Sequence, residues 1–518
     1  MKKSYALTCA QGIQSPLSAN KYNIGKRNYS AGAPNKFFLD SFDNFCKYTG
    51  RESIIQAVDG SYCLEIELHE DLRNRDDVRM DTPRLNRLLS QRRLERERRE
   101  KVENWNELHP HLQKEIPQHY FWNEIPSTIY KTLDALLLHK KITLSRPRVP
   151  SQNDNPLIGQ RDLCHDFYGT SVIIPHPKQR FEVVPKDVGG KLPRLIATTG
   201  ACTYPNYNET NDRGDKAFRR HQFGFCIADI LDEKTYLIRL VPALESGEFV
   251  DLGVLYSPGR EPLKAKTRAL VLGDWHFPFV DPLARKASFE QIEFLKPKEV
   301  YLHDLISFHS ISHHNLEDSV LQMWLTEMVD QADSLEAECE GGLKELREIA
   351  EIAGDATIYV TPSNHDFFLH KWLAQNADRR DRKNARFGSK IFSEYHKGDS
   401  ILEIALKLIG KIPKNVIFLK LGEDKRPLGY ECACHGHKGI NGGKGSLTSF
   451  RITYGKGIIG HTHRLEVQGK AISVGTNSII PLDYQEGSPS QSIHGNAVIY
   501  ERGLAQAIPI IRGKWRKK

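Results

Sequence analysis

Five apolar runs in the C-terminal half each break off into Asp, Asn or His, and this repetition constrains the chain more than any other feature. RALVLG precedes Asp274-Trp275-His276, EVYLH precedes Asp304, and TIYVTPS precedes Asn364-His365-Asp366. YECAC precedes His435-Gly436-His437, and KGIIG precedes His461-Thr462-His463. Short Val/Ile/Tyr-rich runs of this kind read as strands, and the stretches between them, 282–296, about 317–353 and about 398–410, have helical composition and length. Alternating strands and helices predict an α/β unit, in which functional groups gather outside the carboxyl ends of the strands. One Asp-x-His alone is weak. Five donor groups in succession, each directly after a strand-like run, are hard to obtain by chance. Histidine usage agrees, since thirteen of the 21 histidines lie between His276 and His494. Imidazole is the commonest metal ligand and a general acid or base near neutral pH.

The order of these motifs resembles the calcineurin-like metallophosphoesterase superfamily: DxH, GDxxD, GNH[DE], a His-Gly element and GHxH. The resemblance covers roughly residues 269–500 and implies two divalent metal ions. Position by position, it implies that Asp274, His276 and His463 bind one ion and Asn364, His435 and His461 the other. Asp304 would bridge them, and His365 would sit beside the scissile phosphate as the catalytic group. Carboxylate, amide and imidazole donors without thiolate suit Mn²⁺, Fe or Zn²⁺, and the oxygen share favours Mn²⁺, with Mg²⁺ a further candidate. Two such ions can hold a hydroxide for attack on a phosphate and clamp its other oxygens. Three positions depart from the pattern: His303 stands for the usual Gly, Ser307 for the second Asp, and Ser363 for the Gly before Asn364. The fourth motif offers two histidines; His435 matches the ligand, leaving His437 either to support a ligand or to contact substrate. Cys432 and Cys434 read as packing on the strand that carries His435.

At 518 residues the chain exceeds the roughly 250–300 at which one core stops growing, so several domains are expected. The first 35 residues are polar and read as a mobile arm. Residues 36–144 read as a mainly helical domain, and 145–259 as a β-rich or α+β module. SPGREPLKAKTR (257–268) reads as a boundary, and 269–518 as the catalytic domain. The expected fold class is therefore α/β, a metallophosphoesterase β-sandwich flanked by helices, behind helical and β-rich N-terminal domains. No run approaches the roughly 20 apolar residues of a membrane span, and the start lacks a secretory apolar core, so a cytoplasmic protein is expected. Nine scattered cysteines without a CxxC read as reduced thiols.

A net charge of +8 permits a polyanionic partner without requiring one. Residues 84–101 carry eight basic and three acidic side chains. They read first as a solvated helix with Arg/Glu pairs and second as a phosphate-backbone contact. Arg379, Arg380, Arg382, Lys383 and Arg386 form a further basic cluster, and the chain ends GKWRKK. In a phosphoesterase this clustering points to DNA as substrate, with Arg379, Arg380, Arg382 and His437 as substrate-binding residues. The layout, and the HDL form of the second motif, resemble the pre-early DNA-degradation proteins of T5-type bacteriophages. That resemblance implies a Mn²⁺-dependent deoxyribonuclease, exonuclease in mode, degrading host DNA in the bacterial cytoplasm. The rivals are a phosphatase acting on phosphoproteins or nucleotides, and a DNA-binding factor whose metal site has decayed. A homo-oligomer stays open.

Overall fold

The computed structural model describes residues 3–11, 35–58, 130–131 and 135–517, except 148, 168, 187–191, 206, 208–211, 313–333, 376–380, 397, 483–484 and 486. The chain divides into two units, Met1–Val184 with Arg194–Leu263, and Pro185–Pro193 with Lys264–Lys518.

The first unit contains β1 (Ser4–Ala10), α1 (Lys36–Thr49), β2 (Glu52–Ala57), β3 (Tyr130–Lys131), β4 (Ala135–His139) and β5 (Ile142–Ser145). It continues through β6 (Ser171–Ile174), β7 (Arg180–Val184), β8 (Arg194–Thr198), α2 (Asp212–Arg219), β9 (Gly224–Ile230), β10 (Tyr236–Pro242), β11 (Phe249–Asp251) and β12 (Val254–Tyr256). One sheet has the order β10-β9-β1-β2-β3, and β7-β8-β6-β5-β4 lie side by side in another. Helix α1 starts where the Asn35 side chain accepts from the Phe38 amide at 3.1 Å, and ends at Gly50 with φ +64°. Phe38, Phe42 and Phe45, spaced for one helix face, are buried with Phe225, Phe249 and Tyr256. Edge-on pairs such as Phe45–Tyr256, with centroids 4.9 Å apart, add about 0.5–1.5 kcal/mol each beyond area burial.

The second unit contains β13 (Thr267–Val271), α3 (Pro282–Leu295), β14 (Glu299–Leu302), α4 (Leu335–Ala353), β15 (Thr357–Val360), α5 (Asp366–Ala374), α6 (Ala385–Glu394), α7 (Ile401–Ile409) and β16 (Val416–Phe418). Then come α8 (Leu447–Tyr454), β17 (Gly457–Ile459), β18 (Glu466–Gln468), β19 (Ala471–Ser473), β20 (His494–Tyr500) and β21 (Ala505–Ile510). The main sheet has the order β16-β15-β14-β13-β20-β21. Strands β13 to β16 are parallel neighbours, while β20 and β21 add antiparallel strands. Parallel pairing needs long crossovers, supplied here by α3 between β13 and β14 and by α4 between β14 and β15. Strands β17, β19 and β18 pair in that order beside α8. Helix α4 comes unusually close to the main sheet's loops: a Cβ on Gly341 would meet the Phe277 ring at 2.1 Å. Mid-helix glycine costs about 0.5–1 kcal/mol relative to Ala, so its presence marks that close approach.

The α/β reading of the C-terminal half agrees with this arrangement; the N-terminal readings need correction. Ser4–Ala10, inside the expected mobile arm, is a fully buried central strand, because its apolar residues pair with β2 and β9. The mainly helical reading of 36–144 fits Lys36–Thr49, whereas Glu52–Ala57, Tyr130–Lys131, Ala135–His139 and Ile142–Ser145 are strands. Short apolar runs such as ALLLH suit either state, and sheet partners far along the chain decided. The basic segment 84–101 lies outside the described residues. The described cysteines are free thiols. No helix among the described residues is long and apolar enough to cross a membrane.

Candidate metal centre

Three parallel strands deliver the first donors. Asp274 and His276 follow β13, Asp304 follows β14, and Asn364 follows β15. Backbone hydrogen bonds tie the first two loops together, with the His276 amide donating to the Asp304 carbonyl at 2.7 Å. His461 and His463 follow β17, and the Gly460 amide donates to the His435 carbonyl at 2.9 Å. The segment holding His435 is not a strand as expected; it makes one bridge, Glu431 to Gly457. Cys432 is buried and Cys434 half-buried there, the latter packed with α8. Gly460 is required sterically, because a Cβ there would fall 2.2 Å from Asp274 Oδ1.

These loops bring Asp274, His276, Asp304 and His463 together, all buried, with one ligand atom each lying within 4.8 Å of the others. Nε2 of His276 lies 2.9 Å from Nε2 of His463, which in turn lies 3.2 Å from Asp274 Oδ2. Asp304 Oδ2 lies 3.6 Å from His276 Nε2 and 3.0 Å from His435 Nε2. The other resemblance-implied ligands adjoin on the His435 side. Asn364 Oδ1 lies 2.9 Å from His435 Nε2 and 3.0 Å from His461 Nδ1. Four of these residues have left-handed backbone: His276 (φ 55°), Asp304 (φ 44°), His461 (φ 68°) and His463 (φ 54°). Each such residue costs on the order of 1–3 kcal/mol, and strain of this kind clusters at functional sites.

The electrostatics fit a cation. Burial opposes charge on Asp304, yet the imidazoles of His435, His365 and His276 around it hold its carboxyl well below the usual range. Burial pushes His276 well below the ordinary histidine range, and takes His461 down to about 4. His435 is the exception: burial pulls it down, but Asp304 and Asp274 raise it to about 9. Its Nε2 stands between two oxygens, a position suited to either a proton or a metal ion. Asp274 Oδ1 and Asp304 Oδ1 are buried with no hydrogen-bond partner among the described residues. Buried carboxylates facing imidazoles, with carboxylate oxygens left over, make a donor set that could hold a divalent ion.

Neighbouring contacts explain the sequence departures. His303 is buried beneath the cluster, its Nδ1 2.9 Å from Thr361 Oγ1 and 3.4 Å from His435 Nδ1. It therefore fills space where the pattern has glycine. Ser307 acts through its backbone, its carbonyl accepting from His365 Nδ1 at 2.6 Å, so the missing Asp side chain is not needed for that contact. His365 lies edge-on to His276 with centroids 4.6 Å apart. Sequence reasoning missed Glu338 on α4, which accepts from the His309 and Ser310 amides at 2.9 and 3.0 Å and steadies the loop beyond Ser307. The Gly341-Gly342 pair in the same helix was the available signal for that packing. Asp281 caps α3, and His494 Nε2 lies 2.8 Å from the Ser478 carbonyl, so both are structural. Asp366 accepts from the Ser363 amide at 2.9 Å, and burial pushes its carboxyl up to about 7.

The expected substrate contacts separate. His437 packs beside His435 and His461, at ring-centroid distances of 5.6 and 6.1 Å. Arg382 is exposed ahead of α6, and Arg379 and Arg380 lie outside the described residues.

No protein-family profile matches the chain. It is 28% identical over 388 residues to Protein A1 of Escherichia phage T5, covering 70% of this chain and 67% of that protein.

Proposed function

We propose that the chain is a metal-dependent phosphodiesterase, a Mn²⁺-dependent deoxyribonuclease made early in bacteriophage infection and acting on host DNA in the bacterial cytoplasm. The buried Asp274–His276–Asp304–His463 set carries the reading, because it concentrates two carboxylates and two imidazoles whose donor atoms lie within 4.8 Å of one another. One ion is assigned to those four residues, and a second to Asn364, His435 and His461 with Asp304 shared. When bound, two such ions supply Lewis acidity and lower the pKa of water for attack on a phosphate. His365 supplies the proton. Its Nδ1 is committed to the Ser307 carbonyl, which orients the ring and leaves Nε2 as the atom that can protonate the leaving oxygen. His276, packed edge-on to His365, limits how far that ring can turn. The likeness to Protein A1 of phage T5 supports the phage setting, and the net charge of +8 is compatible with a polyanionic substrate.

The test is incubation of linear and circular DNA with the full chain and Mn²⁺, read on a gel beside hydrolysis of an aryl phosphate. Shortening of linear DNA supports an exonuclease. Hydrolysis of the aryl phosphate with both DNAs intact turns the reading to a phosphatase. DNA binding without metal uptake or hydrolysis makes the chain a binding factor.

A further inference from the structure

A row of aromatic rings leads outward from the buried donor His435. The His437 ring lies 5.6 Å from that of His435, Phe367 lies 6.0 Å from His437, His370 6.3 Å from Phe367, and Tyr395 5.9 Å from His370. His435 is buried, His437, Phe367 and Tyr395 are half-buried, and His370 is exposed. These rings are mutually tilted by 43° to 76°, so no neighbouring pair in the row is stacked face to face. Both ring nitrogens of His437 are buried without a hydrogen-bond partner among the described residues. The exposed Lys438 places its ammonium 4.5 Å from the Phe367 ring centre. That lysine begins a glycine-rich loop, KGINGGKG, closed by the Gly439 amide on the Gly443 carbonyl at 2.7 Å, with Ile440 57% exposed.

Tilted half-exposed rings with an adjacent cation, rising from a site of phosphate chemistry, match what unpaired nucleic-acid bases require. Each base offers a face for stacking, and the cation meets the backbone phosphate. A duplex hides those faces within its own stack. We propose that this row is a binding track for unpaired DNA bases, which guides a single-stranded or frayed end to the metal centre. The inference rests on the phosphodiesterase reading and adds the strand state of its DNA substrate.

The test compares equilibrium binding of labelled oligo(dT) and an abasic strand of equal length to the full chain, with Ca²⁺ as the divalent ion. Cleavage with Mn²⁺ is measured separately. The parent is expected to bind oligo(dT) about tenfold or more tightly than the abasic strand, the size of a stacked base or two. Phe367→Ala and Phe367→Leu should lose about tenfold on oligo(dT) and little on the abasic strand, while Phe367→Trp keeps the preference. A parent that does not discriminate, an Ala or Leu variant that keeps the preference, or a Trp variant that loses it overturns the track. If the parent discriminates but cleaves no DNA, the track stands and the nuclease reading falls. If it cleaves without discriminating, the track falls alone.

Discussion

Each unit buries carboxylates, but they are neutralised in different ways. In the N-terminal unit, Arg239 reaches Asp251 at 2.8 and 2.6 Å and Asp229 at 2.7 Å, while Arg51 reaches Asp229 at 2.9 and 2.8 Å. Two guanidinium groups thus answer two carboxylates, and every charged side chain in the group is at most 8% exposed. In the C-terminal unit, Asp274 and Asp304 face imidazoles, and their Oδ1 atoms have no hydrogen-bond partner among the described residues. A buried carboxylate matched to Arg is a closed structural device. One matched to imidazoles, with an oxygen left unpartnered, is a place for a cation brought from outside.

The largest expected effect breaks the second arrangement. His463→Ala removes a nitrogen shared with His276 and Asp274, so metal affinity should fall with activity, seen by metal analysis and turnover on one preparation. His365→Ala separates chemistry from binding. Turnover should fall about 10²–10⁴-fold, the range for a general acid, while metal content is retained. Loss of an ion there would make His365 a ligand. Arg239→Ala breaks the first arrangement, taking both guanidinium contacts from Asp251 and leaving Asp229 with Arg51. A loss of about 3–5 kcal/mol of stability is expected in denaturant titration, with metal content unchanged in the folded fraction.

Acid sharpens the contrast at smaller cost. Burial raises Asp229, but Arg239 and Arg51 overcome this and hold its carboxyl below the ordinary range. Its contribution is therefore complete above the unfolded value near 3.9 and is lost only as pH falls through the lower folded value. Thermal melts at pH 5 and 7 should show no loss from this network. A loss already present at pH 5 would mean that Asp229 is not held as described. The smallest effect belongs to Arg382. Arg382→Ala should reduce the salt slope of duplex binding by about 0.9 if that side chain meets one phosphate. An unchanged slope assigns it to solvent.

The sequence showed most where local pattern and chemistry coincide. Strand-like runs ending in Asp274, Asp304, Asn364 and His461 place donors at strand termini because the β-run and the loop that follows are both local signals. His435 reached the same site from a segment with a single bridge, so its strand was over-read although its placement beside Asp304 agrees with the motif. Ser307 and His303 looked like defects because only side chains are visible in a motif. In the folded chain a carbonyl and a buried ring do the holding. Tyr5, Ile54 and Ile227 belong to strands whose pairing joins residues far apart in the chain, which no local window contains.

The buried donor set could hold divalent metal, and the proposal shares Asp304 between two ions. Metal content of the full chain and of Asp304→Asn after equilibration with Mn²⁺ and gel filtration tests it most directly. Two ions per parent chain and one or none in Asp304→Asn, with both chains folded by circular dichroism, is the predicted result. A folded parent that retains no metal, or an Asp304→Asn variant that keeps both ions as tightly as the parent, would contradict it.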